Sequence, residues 1–103
     1  MSQRYILCLD GASTKAEDRD KVTRFLESHG WQVWHWFEDL WMVTIPGDEM
    51  NMMSMRDEIR VNALPKGRFV IFELAEGSRT GGTVQTNAVE WIYKNWLPEE
   101  LKP

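Results

Sequence analysis

Asp10 closes the apolar run Tyr5-Ile6-Leu7-Cys8-Leu9 and is the residue of this chain best placed to do chemistry. A carboxylate at the end of a buried strand offers hard oxygen ligands of the kind a magnesium ion needs, and twofold symmetry would turn one such carboxylate per chain into a pair. Aspartate at a strand end also caps loops by accepting local amide protons, and Gly11-Ala12-Ser13 is such a loop. No second carboxylate stands at a motif-like spacing. Glu73 becomes a companion only if the first and last strands are neighbours.

The other reactive residue types are sparse. His29 and His35 are the only histidines, one at an expected helix end and one inside a hairpin, and neither sits in a metal-ligand or nucleophile pattern. Cys8 is the single cysteine, which excludes an intrachain disulfide and fits a packed thiol in a reducing compartment. No Ser-His-Asp, Cys-His, Walker or dinucleotide motif is present. Gly77-Ser78-Arg79-Thr80-Gly81-Gly82-Thr83 precedes an expected helix, so Arg79 with the Gly81 and Gly82 amides forms a candidate anion site; the other reading is a flexible connector. Six tryptophans raise the question of base stacking. From Trp31 to Ile45, however, no lysine or arginine stands among them to meet a phosphate backbone, and packing is the better account.

The 103 residues carry 16 acidic and 12 basic side chains, a net charge of -4, so the chain sets up no long-range attraction for nucleic acid. That length suits one domain, 1–103, able to fold without disulfides or metals. No signal-peptide core and no uncharged apolar stretch of membrane-spanning length is apparent, and the expectation is a cytoplasmic protein that does not enter a membrane.

Stepping along the chain, the apolar run before Asp10 predicts a central strand. Thr14-Lys15-Ala16-Glu17 fits a capping box, Val22, Phe25 and Leu26 form a helical stripe, and His29-Gly30 ends it. Trp31 to Phe37 and Leu40 to Ile45 flank Glu38-Asp39 as a hairpin with a two-residue turn. That turn predicts the pairs Phe37 with Leu40, Trp36 with Trp41, His35 with Met42 and Trp34 with Val43. Trp34, Trp36, Trp41, Val43 and Ile45 then share one face, and Trp31, Val33, Phe37, Leu40 and Met42 the other. Helices can cover only one of two such faces. Trp34, Trp36 and Trp41 are therefore expected at a dimer or partner interface, unless the chain's own C-terminal tail wraps the second face. A second helix carries Met52, Met55 and Ile59 and closes at Pro65-Lys66-Gly67; Phe69 to Leu74 is a fourth strand; Ala88, Ile92 and Trp96 mark a helix over about 83–97. The expected fold is α+β and ferredoxin-like, strand-helix-strand-strand-helix-strand with an antiparallel sheet, plus the extra C-terminal helix.

Tyr5 to Asp10, the aromatic hairpin, Met55-Arg56-Asp57-Glu58-Ile59-Arg60, Arg68-Phe69-Val70-Ile71 and Ala88-Val89-Glu90-Trp91-Ile92 together resemble the SinR-like branch of the superfamily containing the second CRISPR-associated protein. The resemblance implies a small ferredoxin-like homodimer. It also implies a candidate catalytic and metal-binding role for Asp10, facing its twofold mate across the dimer and sharing magnesium or manganese, as in members reported as metal-dependent nucleases. Two features depart from those members: a helical tail where an added strand is typical, and an acidic balance where a basic groove is usual. The expected function is a homodimeric interaction or regulatory module in a defence or mobile-element setting. The alternative is a metal-dependent endonuclease on RNA or DNA.

Overall fold

A strand with apolar residues on both sides must be covered twice, and the first strand, β1 (Ser2–Leu9), is. The computed structural model describes residues 2–75, 78, 80 and 82–96. Within these, β1 is followed by α1 (Ala16–Ser28), β2 (Gln32–Phe37), β3 (Leu40–Pro46), α2 (Met52–Asn62), β4 (Phe69–Leu74) and α3 (Thr86–Trp91), which runs on as a π-helical turn, Ile92–Trp96. The strands form one four-stranded sheet in the order β2-β3-β1-β4, with antiparallel neighbours throughout. This is a small α+β domain, and no helix among the described residues is long and apolar enough to cross a membrane.

Tyr5, Leu7 and Leu9 of β1 point to one face. With Trp41, Val43 and Ile45 of β3, Val22 and Leu26 of α1, and Met55 and Ile59 of α2, they make the main core. Ile6 points the other way, against a smaller core of Trp34, Met42, Ala88 and Trp96. The C-terminal helix thus lies on the sheet face opposite α1 and α2. The helix stripes fall where the sequence places them, with two adjustments at the caps. Thr14 does not cap α1: its hydroxyl donates to the Asp10 carbonyl, and the box moves one residue on, with the Lys15 amide donating to the Asp18 carboxylate at 2.9 Å. Asn51 caps α2 by accepting the Ser54 amide at 2.8 Å. Gly30 ends α1 at φ 76°, in the left-handed region open to glycine.

The hairpin corrects the expected register. Phe37 does face Leu40 around the Glu38-Asp39 turn, but Trp34 faces Met42 and Val33 faces Val43, so Trp34 with Val43 and His35 with Met42 are not pairs. One extra residue is accommodated between Trp34 and Phe37, a β-bulge. Its consequence is that Trp34 and Trp41 lie on opposite faces. Trp41 enters the main core, where its indole N–H donates to Thr23 at 2.9 Å and its ring stacks on His35 with centroids 4.0 Å apart. Trp34 enters the smaller core, its indole N–H donating to the Ala88 carbonyl at 3.2 Å.

The C-terminal helix is fastened to the sheet by polar groups as well as by Trp34. Thr44 donates to the Asn95 carbonyl at 3.0 Å, and Trp96 donates to the Thr80 hydroxyl at 2.8 Å. Arg4, only 6% exposed, donates to the carbonyls of Ala75 at 2.6 Å and Trp96 at 3.3 Å, with its guanidinium 5.7 Å from the Trp96 ring centroid. The Trp96 carbonyl ends a helical segment, where partial negative charge suits a buried cation.

Candidate functional site

β1 stops at Asp10 because two other segments take over its hydrogen bonds. The Leu9 amide donates to the Asp39 carbonyl at 2.8 Å and the Asp10 amide to the Arg68 carbonyl at 2.9 Å. The sheet end is thereby tied to both the hairpin turn and the approach to β4. The Asp10 carbonyl accepts the Ser13 amide and the hydroxyls of Ser13 and Thr14, which folds the loop back on itself.

The carboxylate is as fully engaged as the carbonyl. Its Oδ1 accepts the Ala12 amide at 3.0 Å, the Asx turn expected of aspartate in this position. Its Oδ2 accepts from Nε and Nη2 of Arg68, both at 2.8 Å. The Arg68 guanidinium and, after it, the Ala12 amide hold the Asp10 carboxyl below its ordinary value, so it is ionised at neutral pH. Arg68 is itself placed by its backbone amide, which donates to the Ser13 hydroxyl at 2.9 Å.

Glu38 and Asp39 stand at the same end of the sheet, and each has an arginine: Arg19 meets Glu38 at 2.9 Å and Asp39 at 3.3 Å. Gly11 lets Asp39 in, since a Cβ there would stand 3.0 Å from the Asp39 carboxylate. Two arginines thus serve three carboxylates, and each oxygen of Asp10 already has a partner. Among the described residues no group of three or more His, Cys, Asp or Glu side chains is gathered to hold a metal ion. Glu73 is not a companion to Asp10. It pairs across the sheet with Tyr5, five residues back along β1, or about 16 Å away at strand rise. There it acts on Tyr5, whose phenol is pushed up first by burial and then by the Glu73 charge.

Of the three tryptophans expected at an interface, Trp34 and Trp41 are buried within the protomer, at 2% and 0% exposure, and this corrects their assignment to a surface. The physical reason is the bulge, which sends each indole under a different helix. Trp36 is 45% exposed. Exposed apolar side chains also stand side by side on β4, where Val70 and Phe72 are 54% and 53% exposed. Register puts Val70 beside Cys8 and Phe72 beside Ile6, on the sheet face that α3 covers only in part. His29 packs between Phe25 and Trp31, and His35 contacts the Glu38 carbonyl and Thr23. Both are structural. Arg79 and Gly81 lie outside the described residues; Gly82 lines an apolar cavity. Arg4 and Arg68 were not singled out by the sequence, though the position of Arg68 directly before a strand that neighbours β1 is the signal that places it opposite Asp10.

In comparisons with protein-family models and with curated proteins, nothing matches this chain.

Proposed function

We propose that this chain is a ferredoxin-like module that acts as a homodimer and by protein contact rather than by catalysis, in the defence or mobile-element setting its sequence resemblance implies. The element order and the antiparallel order β2-β3-β1-β4 support the fold reading. The observation that carries the functional reading is the β4 edge. A six-residue edge strand without lysine or proline, whose one charge is Glu73 near its end, and which bears Val70 and Phe72 half exposed, offers another chain an open ladder and an apolar face to cover. Sedimentation of the full chain tests this. A dimer is expected for the parent and a monomer with unchanged far-UV circular dichroism for Phe72→Glu; a monomeric parent, or a dimer that survives Phe72→Glu and Val70→Lys together, refutes it.

A second reading, the metal-dependent endonuclease, draws on one specific observation: Asp10 is ionised and partly exposed at the end of the first strand. It requires the carboxylate to leave Arg68 for magnesium or manganese. Cleavage of labelled RNA and DNA by the parent with either metal, lost in Asp10→Asn while the fold is kept, would establish it.

A further inference from the structure

Between the sheet and the C-terminal helix lies a cavity of about 320 Å³ that the dimer reading does not use. Its floor is Ile6, Leu40 and Met42 of the sheet, its roof Val89, Ile92 and Tyr93 of the helix. Trp34 and Phe37 form one corner, their rings nearly perpendicular with centroids 5.0 Å apart. Thr80, Thr83 and Tyr93 are the hydroxyl-bearing residues of the described lining, and the Thr80 hydroxyl also accepts the Trp96 indole N–H. Among the described residues no charged side chain lines it.

We propose that this cavity is a binding site for a small uncharged aromatic molecule, a fused bicycle with a hydroxyl or carbonyl at one end. Three features fix the class. The volume falls at the lower end of the roughly 300–1,000 Å³ of ligand sites. It is also about twice the roughly 150 Å³ that holds one benzene ring in an apolar cavity. The described lining is uncharged, and an ion moved into it would give up part of its hydration with no described countercharge to meet it. The perpendicular pair of Trp34 and Phe37 offers a third ring an edge and a face at once, the arrangements aromatic rings prefer. The indole N–H of Trp34 is already given to the Ala88 carbonyl, so this wall presents ring surface and the threonine hydroxyls supply the polar contact.

The test uses the full chain and 2-naphthol as probe, with the anion 2-naphthoate as the charged counterpart, by isothermal titration. Saturable one-to-one binding of 2-naphthol is expected, at least about tenfold weaker for 2-naphthoate. Val89→Trp, which fills the cavity from the helix side, should weaken 2-naphthol binding at least about tenfold. Thr83→Trp fills it from the loop, outside any helix or strand, and serves if Val89→Trp does not fold. Phe72→Glu should keep the binding, which separates this site from the dimer surface. The proposal is overturned by any of three results: no saturable binding up to about 1 mM, equal affinity for the anion, or unchanged affinity in a correctly folded filling variant.

Discussion

Replacing Arg4 with methionine should release the C-terminal helix from the sheet before it unfolds the rest of the domain. Arg4 is buried and gives hydrogen bonds to the carbonyls of Ala75 and Trp96 while lying over the Trp96 ring. Hydrogen bonds from a charged donor contribute about 1.5–3 kcal/mol each. The cation–π contact adds about 0.5–2 kcal/mol. Against this stands the cost of keeping a guanidinium out of water, several kcal/mol, which methionine removes. Methionine fills much of the same space but leaves the buried Trp96 carbonyl unpaired, at about 1–3 kcal/mol, while the Ala75 carbonyl, on an exposed residue, can turn to water. The balance is a loss of about 2–4 kcal/mol, which a small domain with about 5–15 kcal/mol to lose survives. Because the Trp96 carbonyl and ring belong to the C-terminal helix, the loss should appear there first. Amide hydrogen exchange in α3 should accelerate about 30- to 1,000-fold while amides of α1 and α2 change little. Urea unfolding should shift to a lower midpoint, and Arg4→Lys, which keeps the charge but not the planar fork, should fall between parent and Arg4→Met. Unchanged α3 exchange together with a stability within about 0.5 kcal/mol of the parent would refute the reasoning.

Asp10→Asn should lower stability at neutral pH with no dependence on magnesium. Folding lowers the Asp10 pKa, so its contribution is complete above the ordinary value of 3.8 and fades as pH falls through the lower folded-state value. The gap between parent and variant in urea unfolding should therefore close in acid; a gap that ignores pH counts against the Arg68 pairing. Cys8, whose thiol burial pushes up from its ordinary 9.0, should react with iodoacetamide near neutral pH more slowly than a model thiol and speed up in urea. Equal rates in both conditions would mean an exposed cysteine. Trp41→Phe loses the bond to Thr23 and part of the ring volume, for an expected cost of about 1–3 kcal/mol by urea unfolding. A variant as stable as the parent would show that Trp41 is not a core anchor.

The elements were legible because their signals are local. Leu9-Asp10, Gly30 and Pro65 punctuate the chain, and Val22 with Leu26 and Met55 with Ile59 keep helical spacing and are buried as that spacing requires. The hairpin register was not legible, for a reason specific to this segment. Register is normally fixed by one apolar and one polar face, and here both faces are apolar, so shifting β2 by a residue costs the pattern nothing. Only the docking of α3 over Trp34 and of α1 over Trp41 decides it. The site was half legible. Asp10 stands out as a strand-end carboxylate, but its partner Arg68 lies 58 residues away, and whether an aspartate binds a metal or an arginine depends on that neighbour. Arg4 was hidden in the same way, since its carbonyl partners are 71 and 92 residues distant.

The bulge also has an arithmetic. Between the pairs Trp34 with Met42 and Phe37 with Leu40, β2 has two residues, His35 and Trp36, where β3 has only Trp41. Removing either would leave a regular ladder with every other pairing intact. His35 is committed, stacked on Trp41 and bonded to the hairpin turn. Trp36 is the surplus, with its indole 45% exposed. A chain shortened by Trp36 should keep both cores and both helix contacts of the hairpin, so what this residue changes is the outer surface of the molecule rather than its interior.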